Sequence, residues 1–116
     1  MASPCSVLQT SLAAFGELCQ RPNPNPRDLQ SGFLAVQQAF QQQILPLGDD
    51  DGLDRATLQP LLTEMNRMLR LMAMDVAFLQ TARQPMTQQQ RQRQLLTKLE
   101  QFGSFATTLQ QAVDRS

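Results

Sequence analysis

The sequence predicts an all-α protein, a four-helix bundle-like domain in which two short helices pack on a long antiparallel helical hairpin. Two observations carry this. Apolar residues recur at alternating spacings of three and four, the period of a helix that buries one face. Prolines and glycines fall between the periodic stretches, where a helix has to stop. At 116 residues the chain is expected to be a single domain, residues 1–116, burying roughly two thirds of its unfolded surface around one core.

The first helix is expected over about residues 6–19, after Pro4, with Leu8, Leu12, Phe15 and Cys19 on one side. Arg21 to Pro26 has prolines at alternate positions, which gives a stiff, extended connector. The second helix is expected over 28–45. Asp28 is placed to cap it, Leu29, Phe33, Val36, Phe40 and Ile44 form its stripe, and Pro46 and Gly48 end it. Asp49-Asp50-Asp51-Gly52 resembles part of a calcium loop, but the spacing fails: with Gly52 as the loop glycine, the first and last ligand positions fall on Leu47 and Leu58. A solvated turn is expected instead, with Asp51 or Asp54 capping the next helix.

The third helix is expected over 54–84, with Leu58, Leu62, Met65, Leu69, Met72, Val76 and Leu79 as its stripe and Pro85 closing it. The fourth is expected over 87–113, opened by a Thr87 and Gln90 capping box, with Leu95, Leu99, Phe102, Ala106, Leu109 and Val113 as its stripe. Matched stripes pair the two as an antiparallel hairpin. At about 1.5 Å per residue the long helices reach about 40 Å and the short ones about 25 Å, so the short pair cannot cover the whole hairpin. Helix two leads directly into helix three and is expected against its Asp54-proximal half. Leu71, Met74, Phe78, Leu95 and Leu96 would then be less covered.

Function is expected on helix three. Leu71, Met74 and Phe78 fall roughly 150° from its main stripe, with Arg67 and Arg70 beside them. Either the helix is central in its own bundle and both faces are internal, or the second face meets a partner or a second copy of the chain. A contiguous exposed apolar patch is uncommon on a solitary protein. Asp75 interrupts the apolar stretch with no cation in its own helix placed to pair with it. It reads either as an ion pair or cap across the hairpin to Arg91, Arg93 or Lys98, or as a partly buried polar anchor for a partner. Arg83, Arg91 and Arg93 cluster near the Pro85 turn, and a cationic rim around an apolar patch suits an acidic protein surface. The expected partner-binding set is Arg67, Arg70, Leu71, Met74, Asp75, Phe78 and Arg83.

Composition excludes more than it assigns. Ten basic and ten acidic side chains cancel, so no overall field draws the chain to nucleic acid or an anionic membrane, and the arginines lack an aromatic platform for bases. No apolar run approaches the ~20 residues of a membrane span, and no signal-peptide pattern opens the chain; a cytoplasmic protein without membrane insertion is expected. Histidine, tyrosine and tryptophan are absent, and there is no Cys-x-x-Cys pair or Gly-rich phosphate loop. No enzymatic activity, metal site or cofactor is expected. Cys5 and Cys19 lie about 20 Å apart if their segment is helical, beyond disulfide reach, and Cys19 reads as a small core residue. Nineteen glutamines at helical spacing read as solvated helix surface.

The order Phe40-Gln41-Gln42-Gln43-Ile44-Leu45, Glu64, Leu69 to Gln84 and Gln90-Arg91 resembles the small cyanobacterial PatD proteins, most specifically in the block Met74 to Gln84. The resemblance runs from about Phe33 onward. The N-terminal segment and the last helix, with Phe102 and Phe105 where an aromatic-cysteine ending would stand, depart from it. It implies an all-helical, non-enzymatic protein that binds the division protein FtsZ, tunes its assembly and influences heterocyst frequency. A structural homodimer is the competing expectation, with the patch buried against its own copy.

Overall fold

Three prolines, Pro4, Pro26 and Pro85, each stand first in a helix of the computed structural model, where the N–H that proline lacks would have had no partner. The structure describes residues 4–115, and residues 1–3 and 116 of the expected domain lie outside the described residues. The fold is all-α. Helices α1 (Pro4–Gln20), α2 (Pro26–Ala39), α3 (Arg55–Thr81) and α4 (Pro85–Asp114) are joined without a strand among the described residues. No described helix is long and apolar enough to cross a membrane.

Each helix packs on two neighbours, α1 on α2 and α4, α3 on α2 and α4, which is an up-down-up-down arrangement. Gln80, near the end of α3, donates to the Pro26 carbonyl at the start of α2 (2.9 Å), and Gln92, early in α4, donates to the carbonyls of Cys19 and Arg21 at the end of α1. Neighbours therefore run antiparallel. The long axis of 49 Å is set by the thirty residues of α4.

All seven stripe residues of α3 are buried, as are Leu95, Phe102, Ala106 and Leu109 of α4. Phe15 stacks on Phe33 between α1 and α2, with ring centroids 5.7 Å apart, and Phe40 meets Phe102 edge-on at 6.1 Å. Gly32 permits the first of these approaches, since a Cβ there would lie 3.0 Å from Leu18 and 3.1 Å from Phe15. Both cysteines are free and buried. Burial pushes the Cys19 thiol up to about 12 and also raises Cys5, to which the charge of Asp114 adds. An unfolded thiol releases its proton near 9.0, so this contribution to stability is intact below that pH and falls away above it.

The second helix departs from expectation in three ways. Its cap is Asn25 rather than Asp28: the Asn25 side chain accepts from the backbone of Arg27 (2.9 Å) and Asp28 (3.4 Å). It ends as an α-helix at Ala39 and continues as a π turn, Phe40–Ile44, then a 3₁₀ turn, Leu45–Asp49. Pro46 explains the change. It has no N–H for the Gln42 carbonyl, and its ring would collide with that carbonyl in α-geometry. The chain widens instead, and the Leu45 N–H bonds to the Phe40 carbonyl. The wider turn also cancels the angular drift of two successive four-residue steps, so Val36, Phe40 and Ile44 are all fully buried.

The third departure concerns coverage. Helix α2 lies against Ala73 to Gln80 rather than the Asp54-proximal half of α3, while the 3₁₀ turn covers Gln59 to Asn66. Antiparallel neighbours bring the start of α2 to the end of α3, and the ten residues after Ala39 pack along the rest. Gly48 lies so close to α3 that a Cβ would meet the Gln59 amide at 2.9 Å and Leu62 at 3.1 Å. Leu95, expected to be poorly covered, is fully buried, and Leu96 packs against the core. The start of α3 is as expected, and that of α4 is not. Asp54 caps α3, accepting from Ala56 N–H (3.1 Å), and α4 begins at Pro85 without the expected Thr87 box; the Gln88 side chain instead donates to the Ala82 carbonyl just past α3.

Replacing Phe102 by Ala is expected to cost about 3–5 kcal/mol through the cavity it leaves, and Asn25→Ala about 1 kcal/mol through loss of the cap. Urea unfolding followed by far-ultraviolet circular dichroism measures both.

Candidate functional site

Asp75 lies on the flank of α3 that faces α4, and its carboxylate is the one buried charged side chain among the described residues, 1% exposed. Helix α4 brings two cations to it. Arg91 and Lys98 are seven residues apart, almost two full turns, and so share a face of α4 on either side of Asp75. Arg91 Nη1 donates to Oδ1 at 3.1 Å and Lys98 Nζ to Oδ2 at 2.6 Å. The cations stay partly in water, 33% and 24% exposed, while the acid does not. The expectation of an ion pair across the hairpin resolves to these two. Arg93, about 200° around α4 from Arg91, points to solvent. Asp75 is out of a partner's reach because it is buried beneath the surface, and it is corrected from contact residue to buried support.

One turn beyond Asp75, Phe78 is 36% exposed, and the Arg91 guanidinium lies over its ring at 4.1 Å from the centroid. Such a cation–π contact at an exposed site contributes about 0.5–1 kcal/mol. Its second effect is geometric. The arginine is held at two points, by a carboxylate below and a ring beside it, and so is presented to solvent in one pose. Met74, one turn back, is 66% exposed. The second face of α3 is therefore an outer surface rather than a second internal seam. Leu71 is half-buried beside them, and Arg70 is exposed next to Met74. Arg67 is exposed and bonded to Glu64 at 2.9 Å, which occupies the nearest carboxylate and raises the guanidinium pKa further. Arg83 is exposed in the turn between α3 and α4. Of the expected set, Arg67, Arg70, Leu71, Met74 and Phe78 form one continuous face, Arg83 stands at its end and Asp75 lies beneath it.

Two residues that add to this surface were not in the expected set, and a third exposed apolar side chain, Met86, lies on another side of α4. Arg91 was seen only as a candidate partner for Asp75. Leu34, 50% exposed on α2, follows the stripe residue Phe33 and so sits about 100° outside the stripe, a signal that helical phase alone supplies. Met86, 84% exposed, occupies the first turn of α4.

The balanced charge total hides a segregation along the long axis. Arg21, Arg27 and Arg83 lie at the end formed by the proline connector and the α3–α4 turn. Asp49, Asp50, Asp51, Asp54 and Asp114 lie at the other, with Arg55 and Arg115. The acidic run is taken up by local turn chemistry: Asp50 accepts from the Gly52 N–H (2.8 Å), Asp51 pairs with Arg55 (3.0 Å) and Asp54 caps α3. Among the described residues no three metal-ligating side chains come together.

The family model described as CRR41 C-terminal domain matches residues 5–107, from the first turn of α1 to well into α4. The chain belongs to this family. The CRR41 C-terminal domain match takes in the hairpin, the Asp75 pair and the exposed face of α3, and it carries no link to the PatD proteins that the Met74 to Gln84 block resembles. No curated protein and no solved structure matches the chain.

Because the acid is buried and the cations are not, the pair is expected to be energetically lopsided. Removing both cations, Arg91→Ala with Lys98→Ala, strands a buried carboxylate and is expected to cost about 3–5 kcal/mol. Asp75→Leu leaves cations that can rehydrate and is expected to change stability by less than about 1.5 kcal/mol. Urea titrations of the two variants at neutral pH make the comparison.

Proposed function

We propose that this chain is a non-enzymatic, cytoplasmic helical module that docks onto an acidic protein surface through the outer face of α3. The observation that carries the reading is the Met74–Phe78 face, with Arg91 fixed over Phe78 by a buried carboxylate. An exposed apolar centre costs solubility unless something covers it, and rigid aromatic and arginine groups are the side chains that dominate binding energy at protein interfaces. The surrounding charge is cationic and the neighbouring carboxylates, Glu64 and Asp75, are engaged. A second copy of the chain docked on the same face would bring two cationic patches together, because a two-fold interface joins the same patch of each copy. That favours a foreign, acidic partner over a homodimer.

The resemblance of Met74 to Gln84 to PatD nominates the partner: FtsZ, whose assembly the module would tune, with consequences for cell division and, in filamentous cells, for heterocyst frequency. Charge would set the rate and register of encounter and the apolar centre the lifetime of the complex. Co-sedimentation of the purified protein with FtsZ polymers at low and high salt is the test. Binding is expected to weaken as salt rises and to be lost in Phe78→Glu and Met74→Glu, both of which should keep wild-type helicity because these side chains face solvent. Absence of binding at either salt, or undiminished binding by both variants, would defeat the proposal.

A further inference from the structure

The apolar surface does not stop at Met74 and Phe78. It crosses the outward side of α3 toward α2, where Ala73 and Ala77, one turn apart, carry only a methyl group each and Leu34 stands half in solvent. The small side chains leave a trough between α2 and α3 of about 340 Å³, open to solvent and with Leu34 as its far wall. That is the size range of a site that takes side chains rather than water alone. Its rim is Gln30 and Gln37 of α2 with Gln80 of α3, polar and uncharged. Across the ridge of Met74 and Phe78 the α4 side carries Arg91, while Arg67 stands in line with the ridge and Arg70, three residues before Ala73, lies on the trough side. One docking surface thus has an apolar floor set among uncharged polar side chains and cations.

We infer that this trough seats an amphipathic helix of the partner, lying along α3 with its apolar stripe on Leu34, Ala77 and Met74 and acidic residues beside that stripe, toward Arg70 and Arg91. The inference rests on the docking reading above and deepens it by stating the chemistry and orientation of what docks. A helix is favoured because the trough runs between two helices, with residues one turn apart forming its floor. A four-residue ridge of an incoming helix fits such a groove. No sheet edge among the described residues is open to pair an extended strand. Charge complementarity fixes the sign of what lies beside the incoming stripe: acidic residues would meet Arg70 and Arg91, and cationic residues there would be repelled.

Two synthetic peptides of about 14 residues, roughly four turns, test this. Both carry the same leucine stripe at helical spacing and glutamines on one flank, and the other flank is glutamate in one and lysine in the second. Fluorescence anisotropy is expected to detect binding of the glutamate peptide, weakening with salt, and none of the lysine peptide. Amide shifts should move at Leu34, Ala73 and Ala77 as well as at Met74 and Phe78. Leu34→Glu, and Ala77→Gln, which fills the trough without adding charge, should each weaken binding about tenfold or more at unchanged helicity. Equal binding of the two peptides, failure of the glutamate peptide to bind, or shifts confined to the α4 side with both trough variants binding normally, would overturn the inference. Running Leu34→Glu beside Phe78→Glu in the FtsZ assay separates the two failures. Loss in Phe78→Glu alone sinks the trough and leaves the docking face standing, whereas normal binding by both sinks the docking face itself.

Discussion

Taking a carboxylate out of water costs several kcal/mol unless cations and hydrogen bonds replace its hydration, and Asp75 is taken out of water at the seam between α3 and α4. The structure meets that cost with two cations from one face of α4, one on each oxygen. This fixes more than the carboxylate. Sliding α4 by one turn along α3 would carry Arg91 and Lys98 out of reach, so the pair sets the register of the hairpin in a way the apolar stripes, which repeat, do not. It also carries Arg91 to the ring of Phe78, so the arrangement of the outer face follows from a contact below it.

The other two helices are held to this hairpin by means that suit a chain with few charges. Gln80, Gln88 and Gln92 donate to the carbonyls of Pro26, Ala82, Cys19 and Arg21, at or just beyond helix ends and around the proline connector. The Cys19, Arg21 and Ala82 carbonyls lack helical partners, and the connector's prolines supply no N–H of their own. A carboxamide can satisfy them without the desolvation cost of a charge. Part of the glutamine abundance therefore does structural work in tying the α1–α2 connector to the α3–α4 turn, beyond the solvated surface that composition implied. Asn23, between two prolines in that connector, takes up the left-handed φ of 51° that asparagine tolerates better than most residues.

The α3 and α4 stripes were legible because burial on one face imposes a period that no other constraint in this sequence imitates. Helix ends were less legible. Asn25 and Asp28 are both good caps, and the feature that separates them, a proline directly after Asn25, was available but competed with an acidic residue one turn on. The π turn could not be read from Pro46 alone, since a proline there also permits a plain stop. Placing the second helix, read as 28–45, against the Asp54-proximal half of α3 failed because the turns around Leu45 to Asp49 cover that half while the α-helical part lies further along. At the site, helical phase correctly separated Leu71, Met74 and Phe78 from the core stripe. It could not tell that the flank carrying Asp75 and Met68 would be buried by α4, which depends on how closely two helices approach. The trough beside Leu34 belongs to two helices at once and has no signature in either taken alone.

Family membership leaves the chemistry of the partner to the surface itself, and that surface is centred on one arginine held in place by a buried acid. The most direct test is the nuclear magnetic resonance signature of the Arg91 side chain in the free protein. A guanidinium stacked on Phe78 places its neighbouring protons in the ring current, so the Arg91 δ and ε protons should be shifted upfield in the wild-type protein and should return toward random-coil positions in Asp75→Asn. Random-coil shifts for Arg91 in the wild-type protein, or upfield shifts that persist unchanged without the Asp75 charge, would contradict the account.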